Sequence, residues 1–257
     1  MKISIITPSY NQGSFIEDAI RSVLDQGYEN FEHIIVDGGS KDDTVQRLQK
    51  YSHLKWISEK DDGQSDALNK GFKMATGDII GWLNCDDYYL PGAFHDVIET
   101  MKSKQVDGVY GDILFCNAQK EITGSKRSHR TNRILSLFYS YVNSETLFFR
   151  RSIIEQNIGI DKSFHICMDK EFIAHLLFRS FKLRYVPKPL AVFRWHETNK
   201  SMNTPAVRKT RIREGIRIFN RYNGRIRLNE DSPWMQTMYV MAINALRPLR
   251  IFLKLTS

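Results

Sequence analysis

The sequence predicts an α/β protein: an open, mostly parallel sheet flanked by helices, followed by a basic helical extension. Three observations predict it. Short apolar runs and amphipathic helical stretches alternate from Ile3 to Met101, the order that builds a parallel sheet covered by helices. The rhythm changes after Gly108, where strand-like runs such as "GVYGDILF" sit closer together. Charge divides the 257-residue chain unevenly. From Ser201 onward 11 Lys/Arg face 3 Asp/Glu, so the whole net charge of +8 lies there and the first 200 residues are neutral. We therefore expect a main domain over residues 1–204 and a basic extension over 205–257.

Each element has its own signal. Ile3 to Ile6 is an apolar run stopped by Pro8, as in a buried strand. Ser14 and Glu17 fit a capping box ahead of a helix through Ile16, Ile20, Val23 and Leu24. Phe31 to Val36 is the next strand and ends in "DGGSKDDT". A helix around Val45 to Lys50 and a strand near Leu54 to Ile57 follow. Gln64 to Ala75 has helical character, with Gly77 as its expected stop. Ile79 to Leu83 is another buried strand, and Pro91 suits the first turn of a helix through Val97 and Met101. Further on, "ETLFFRRSII" predicts a strand running into a helix and "DKEFIAHLLF" a helix. "LRYVPKPLAVFRWH" predicts two short strands around a Pro-x-Pro turn. Two helices are expected after Pro205, one through Ile212, Ile216 and Phe219, another from Met238 to Leu253.

Several classes are excluded by what is missing. The neutral main domain is no cationic nucleic-acid surface, and the basic tail carries no aromatic-basic or zinc pattern, so no nucleic-acid partner is expected. Cys85, Cys116 and Cys167 are odd in number and follow no metal-ligand spacing, which predicts reduced thiols in a cytosolic protein. The N-terminal apolar run is too short for a signal peptide, and no run is long enough to span a membrane. There is no G-x-x-x-x-G-K-[ST] run, and the loop after the first strand, "TPSYNQG", is not G-x-G-x-x-G. The same loop lacks Lys and Arg, which argues against a nucleotidyltransferase that must hold a triphosphate.

In open parallel sheets ligands bind beyond the carboxyl ends of the strands. There the first strand delivers Pro8, Ser9, Tyr10 and Asn11, the second Asp37, and the fourth Asn84, Asp86 and Asp87. Adjacent carboxylates at the mouth of a buried strand are either turn residues or, together with the other two strand ends, a ligand rim. Their hard oxygens suit Mg²⁺ or Mn²⁺ holding phosphates.

"SIITPSYNQGSFIEDAIRSVLDQGYENFEHIIVDGGSKDDT" and "DDGQSDALNKGFKMATGDIIGWLNCDDYYLPGA" together resemble family-two glycosyltransferases of the GT-A fold, densely over residues 2–93 and more loosely to His196. The resemblance implies a nucleotide-sugar donor, a divalent metal and transfer with inversion. It places Pro8 to Asn11 and Asp37 in the nucleoside pocket. It makes "NCDD" the counterpart of the D-x-D signature, with Asp86 in the metal-ligand position and Asp87 beside it, the two together expected to hold the metal. Asn84 replaces the first acid, and Leu68-Asn69 stands where the family often has Arg-Asn. Lys70, helped by Gln64 and Ser65, is then a candidate phosphate contact, with Asp66 and Asn69 on the same donor-side stretch.

Inverting transfer needs a proton acceptor beside the incoming hydroxyl. In "CMDKEF" the acid Asp169 either caps a helix or serves as that base. The resemblance, which pairs an acidic motif with a downstream R-x-H, favours the base, with Glu171 second. It makes His196 a candidate third metal ligand or diphosphate contact. Asp112 and Glu145 either line the acceptor site or fill strand-edge positions. His33, His95 and His175 carry no pattern and are assigned to structure. Arg208, Lys209, Arg211, Arg213, Arg217 and Arg221 interleave with Ile212, Ile216 and Phe219, as in a helix packed on the main domain or one drawn to anionic lipid. The resemblance thus implies transfer from a UDP-sugar to a saccharide or lipid-linked saccharide in surface polysaccharide synthesis, by a cytoplasmic protein that the basic tail, in its lipid-facing reading, would place at the inner face of the cytoplasmic membrane. The alternative, motivated by Asn84, is a catalytically silent nucleotide-sugar-binding sensor or assembly partner.

Overall fold

A computed structural model of the chain describes residues 1–102, 105–224 and 226–255. Strand β1 (Ile3–Ser9) is buried along its whole length and is the axis of the fold. It pairs in parallel with β2 (Phe31–Asp37) on one side and β4 (Ile79–Trp82) on the other, and β3 (Leu54–Ser58) extends the sheet beyond β2. The side chains of β1 obey the two-residue period of a strand. Ile3 and Ile5 enter the layer with Ala19 and Val23 of α1 (Gly13–Leu24) and Phe94 and Val97 of α4 (Ala93–Met101). Ile6 enters the opposite layer with Ala67, Leu68 and Phe72 of α3 (Gln64–Met74). The short α2 (Thr44–Leu48) lies between β2 and β3 in sequence.

The chain moves outward from β1 to β3, then returns to lay β4 on the other side of β1, so the strand order reverses between β1 and β4. Such a reversal leaves a crevice at the carboxyl ends of the two strands, and the polar rim lies there. Beyond β4 the sheet is mixed. β8 (Phe148–Arg150) runs antiparallel to β4 and to β6 (Gly108–Cys116), whereas β6 and β9 (Leu183–Arg194) are parallel. The two-residue β5 (Tyr88–Tyr89) and β7 (Ile122–Lys126) add antiparallel edges to β9 and β6. The expected parallel order thus holds for β1 to β4, three of which carry the rim.

Local expectations are corrected at five places. The Ser14–Glu17 capping box does not form; the first amides of α1 are satisfied from the next loop, Gly13 N by Asp42 Oδ2 (3.0 Å) and Gln12 N by Thr44 Oγ1 (3.1 Å). Gly77 does not end α3, which stops at Ala75 in extended conformation. It is required instead because a Cβ there would lie 2.8 Å from Lys2 O and Ser4 N. Pro91 precedes the N-cap Gly92 rather than occupying the first turn of α4. "LRYVPKPLAVFR" is one strand, not two, and absorbs its prolines in irregular register opposite Tyr110 to Ile113. The last predicted helix is two, α9 (Pro233–Ala245) and α10 (Arg247–Leu255), divided just before Pro248.

Helix α8 (Pro205–Asn223) is docked on the domain through the buried Glu214, Ile216 and Ile218. It packs on α7 (Met168–Phe178), which follows the short α5 (Arg133–Ser136) and α6 (Ser152–Glu155); Arg221 pairs with Glu171 of α7 and with Asp161 ahead of it. Tyr239 of α9 accepts from Lys170 Nζ (3.0 Å) and donates to Leu137 O (2.7 Å). The side chains of Arg250 and Lys254, counted above as basic residues of the tail, lie outside the described residues. The three cysteines are buried and free.

Replacement of Gly77 by Ala pushes a methyl group against fixed backbone where β1 begins, and a loss of about 1–3 kcal/mol is expected in urea unfolding.

Candidate active site

A cleft of about 700 Å³ opens where β1 and β4 diverge. Its floor is Pro8, Ser9 and Tyr10 from the end of β1 and Gly38 from the end of β2. Gln64 at the first turn of α3 and Asn84 and Asp86 after β4 line the middle. Glu145, from the one-turn 3-10 helix at Ser144–Thr146, and Asp169, from the first turn of α7, form the far wall. Two helix N-termini therefore point into one space, an arrangement that favours anionic ligands. Gly63 precedes α3 with φ +97°, a conformation that side chains other than hydrogen rarely adopt.

A strap after β9 crosses the mouth. His196 Nε2 lies 3.0 Å from Asp86 Oδ2, and Asn199 Nδ2 donates to the same oxygen at 3.1 Å. Thr198 Oγ1 contacts His196 Nδ1 at 2.9 Å. The imidazole stacks on Phe15 (4.4 Å between centroids), whose ring in turn lies against the guanidinium of Arg194. Arg194 is buried, pairs with Asp18 (2.7 Å) and donates its backbone N–H to Asp87 Oδ1 (2.9 Å). The arginine of the R-x-H run is thus a structural root, and the histidine is the part that touches the cleft-lining Asp86.

Predicted residues divide into those brought together and those used elsewhere. Pro8, Ser9, Tyr10, Gln64, Asn84, Asp86 and Asp169 line the cleft, with His196 at its edge. Asn11, at φ 51°, ties the first two loops together through Ser40 and Lys41. Asp37 is fully buried, its carboxylate taken by Gly39 N, Ser40 and Ser58 Oγ, so the acid that lines the cleft at that corner is Asp61. Ser65 donates to Met168 Sδ (3.0 Å), and Asn69 clamps the backbone of Ile160. Asp66 turns to Lys162 and Lys70, and Lys70 pairs with Glu59 (2.6 Å). The cations that do line the cleft are Lys60 and Lys200, and Lys200 Nζ approaches Gln64 Oε1 at 3.3 Å. Asp87 is fully buried, both oxygens engaged by Arg194 N and Asn84 Nδ2 (3.1 Å), and does not reach the cleft. Glu171 is buried against Arg221 and Tyr222, which removes it as an alternative base. Asp112 accepts from Ser128 N and Tyr185 and lies outside the cleft.

Asp169 heads α7 yet does not cap it. Glu214 of α8 holds the turn that leads into the helix: its carboxylate accepts from the amides of His165, Ile166 and Cys167 at 2.7–2.9 Å. Burial raises the Asp169 carboxyl above the ordinary carboxylate range, and burial pushes Glu145 up to about 7. Burial, then the neighbouring Asp86 and Glu145, holds Asp87 well above it too. Burial lowers the Lys200 ammonium.

Among the described residues no group of three or more His, Cys, Asp or Glu is arranged to hold a metal. Asp86 and His196 nevertheless offer a hard carboxylate oxygen and an imidazole nitrogen 3.0 Å apart at the cleft edge. That pair fits Mn²⁺ or Mg²⁺ if phosphate oxygens and water complete the coordination.

The profile of glycosyl transferase family 2 matches residues 4–175, which spans β1 through most of α7. The chain belongs to this family and is a glycosyltransferase. An uncharacterized glycosyltransferase of Nostoc sp. is 29% identical over 240 residues, covering 86% of this chain and 74% of the relative. The GalNAc(5)-diNAcBac-PP-undecaprenol beta-1,3-glucosyltransferase of Campylobacter jejuni is 28% identical over 205 residues, covering 71% and 65%. Two solved structures share the fold. Staphylococcus aureus TarS 1–349 in complex with UDP-GlcNAc has TM-score 0.66 and 17% identity, covering 90% of this chain and 68% of TarS. The mannosyltransferase PcManGT of Pyrobaculum calidifontis in complex with GDP-Man and Mn²⁺ has TM-score 0.66 and 17% identity, covering 96% and 75%. The expected GT-A architecture is therefore the one observed.

Truncation of Glu214 to Ala leaves three amides without their acceptor ahead of α7; unfolding stability is expected to fall by about 2 kcal/mol or more, with Glu214→Gln less affected.

Proposed function

We propose that the protein moves a glycosyl unit from a nucleotide-diphosphate sugar, with UDP as the expected nucleotide, to a hydroxyl of a saccharide or lipid-linked saccharide, with inversion. The observation that carries this reading is that Asp86 and Asp169, distant in sequence, line one cleft at the point where the strand order reverses. Pro8, Ser9 and Tyr10 form the surface on which the nucleoside lies, with Tyr10 presenting an exposed ring and Asp61 an accessible acid. Lys60, Lys200 and the N-terminus of α3 supply positive potential for the diphosphate, taking the place expected for Lys70.

The chemistry follows from the raised basicity of Asp169. Its carboxylate removes the proton from the acceptor hydroxyl as that oxygen bonds to the anomeric carbon. The bond from that carbon to the diphosphate oxygen breaks on the opposite face and leaves its electron pair on the diphosphate. A divalent cation held by Asp86 and His196 would act as a Lewis acid toward the departing diphosphate. Asn199 and Thr198 fix the imidazole and carboxylate of that pair in orientation.

The acceptor class is supported by the Campylobacter relative, whose name describes transfer onto an undecaprenol-linked saccharide. No helix among the described residues is long and apolar enough to cross a membrane. Exposed Trp234, Met238 and Met241 follow one side of α9, next to the basic extension. They support contact with an anionic membrane surface at its cytoplasmic face in surface polysaccharide synthesis. The silent-sensor reading rested on Asn84, and the hydrogen bonding of Asn84 supplies a different reason for that departure.

Thermal-shift screening of UDP-, GDP- and dTDP-sugars with and without Mn²⁺ tests donor and metal together: stabilisation by a UDP-sugar only with Mn²⁺ is expected, and its loss in Asp86→Ala. Asp169→Asn is expected to keep donor binding and lose transfer by about a hundredfold or more. Because Asp169 accepts a proton only when ionised, and burial raises its pKa, the parent rate should rise with pH through that pKa and then level. A flat profile, or full activity in Asp169→Asn, contradicts the assignment.

A further inference from the structure

Asn84 makes four side-chain hydrogen bonds. Its Oδ1 accepts from Trp82 Nε1 (3.0 Å) and Gln64 Nε2 (2.9 Å). Its Nδ2 donates to Asp87 Oδ2 (3.1 Å) and Glu145 Oε1 (2.8 Å). An indole N–H can only donate, so the atom facing Trp82 must be the oxygen, and the amide is then fixed with its nitrogen toward the two carboxyls. A carboxylate at position 84 would keep the first two contacts. It would remove both N–H donors from the other two contacts and leave three carboxyl groups facing one another, in surroundings that water reaches poorly.

The identity of residue 84 is therefore coupled to that of residue 145. The family signature has an acid at the first position; here that position is an amide, and a carboxyl from 61 positions further along the chain comes to 2.8 Å from it. Glu145 is 5% exposed, and its 3-10 turn is braced by Thr146 Oγ1 on Gly111 O (3.2 Å) and by its own contact with Ser144 Oγ (3.1 Å). It lines the cleft together with Asp86 and Asp169, the groups assigned to the diphosphate end and to the attacking hydroxyl. The transferred sugar must lie between those two.

We propose that Glu145 is a substrate-contacting carboxyl that hydrogen-bonds a hydroxyl of the transferred sugar, and that Asn84 is its positioning residue. The inference rests on the donor-site reading above. The acid missing from the signature is relocated to the wall of the sugar subsite, and it contributes to which sugar is accepted. With its proton affinity near neutrality, Glu145 can donate to or accept from a hydroxyl, as recognition of a defined sugar stereocentre requires.

The test compares UDP with UDP-glucose, UDP-galactose, UDP-GlcNAc and UDP-GalNAc, each titrated calorimetrically with Mn²⁺ present into the parent, E145Q, N84D and N84D/E145Q. For the tightest of the four sugars, N84D is expected to weaken binding about tenfold or more while UDP alone changes less than about threefold. In the double variant the amide and carboxylate exchange places, and affinity should return to within about threefold of E145Q. E145Q should alter the order of preference among the four sugars. Melting temperatures of all variants separate these effects from misfolding, because a purely structural role lowers stability and weakens UDP and UDP-sugars equally. Equal losses for UDP and UDP-sugars, an unaffected N84D, or no recovery in a folded double variant would overturn the proposal. A parent that binds neither UDP nor any of the four would overturn the donor-site reading, and this assignment with it.

Discussion

Like-charge crowding is the constraint on which the rest of the site depends. Asp86, Asp87, Glu145 and Asp169 converge at one end of the sheet, where water is scarce and carboxylates repel. The fold answers with a different partner for each. Asp87 receives a backbone amide and the Asn84 side chain, and Glu145 the other hydrogen of that amide. Asp86 is met by His196 and Asn199 from the strap. Asp169 is left with an elevated proton affinity and a place in the cleft wall. Groups differently supported in this way can take the separate roles of metal ligand, frame and base that the proposed mechanism requires.

That division extends into the C-terminal helices. The turn that leads into α7 has three amides to satisfy, and Glu214 reaches across from α8 to accept from all of them, which fixes the point where Asp169 enters the cleft wall. Arg221 neutralises Glu171 on the same helix, and Lys170 is buried under Tyr239 of α9. The basic extension is thus packed into the frame of the cleft, whatever its exposed face contacts.

Much of this was legible in the sequence, and the reasons are specific. The alternation of Ile3–Ile6, Phe31–Val36 and Ile79–Leu83 with amphipathic helices shows the sheet, because each strand is buried on both faces and reads as a plain apolar run. Strand ends are the one place such runs turn polar, so Ser9, Asn84 and Asp86 declared the rim. Asp169 and His196 were found through spacing shared with a family. Tertiary partnership was not legible. Asp37 looks like a ligand acid but is consumed by its own loop, and Lys70 looks like a phosphate contact but pairs with Glu59. Lys200 carries no local signal, and Glu145 offers only a choice between acceptor site and strand edge, since only folding brings them beside Gln64 and Asn84. The Pro-x-Pro stretch misled because an irregular register lets one strand carry both prolines.

The central claim is that Asp86 and the donor diphosphate share one divalent cation within reach of Asp169. A crystal structure with UDP and Mn²⁺, with anomalous scattering measured at the manganese edge, tests it most directly. The account predicts a single strong peak bonded to an Asp86 oxygen and to diphosphate oxygens, with uridine on the Pro8–Tyr10 surface. A peak away from Asp86, or UDP bound outside the β1–β4 cleft, would contradict it.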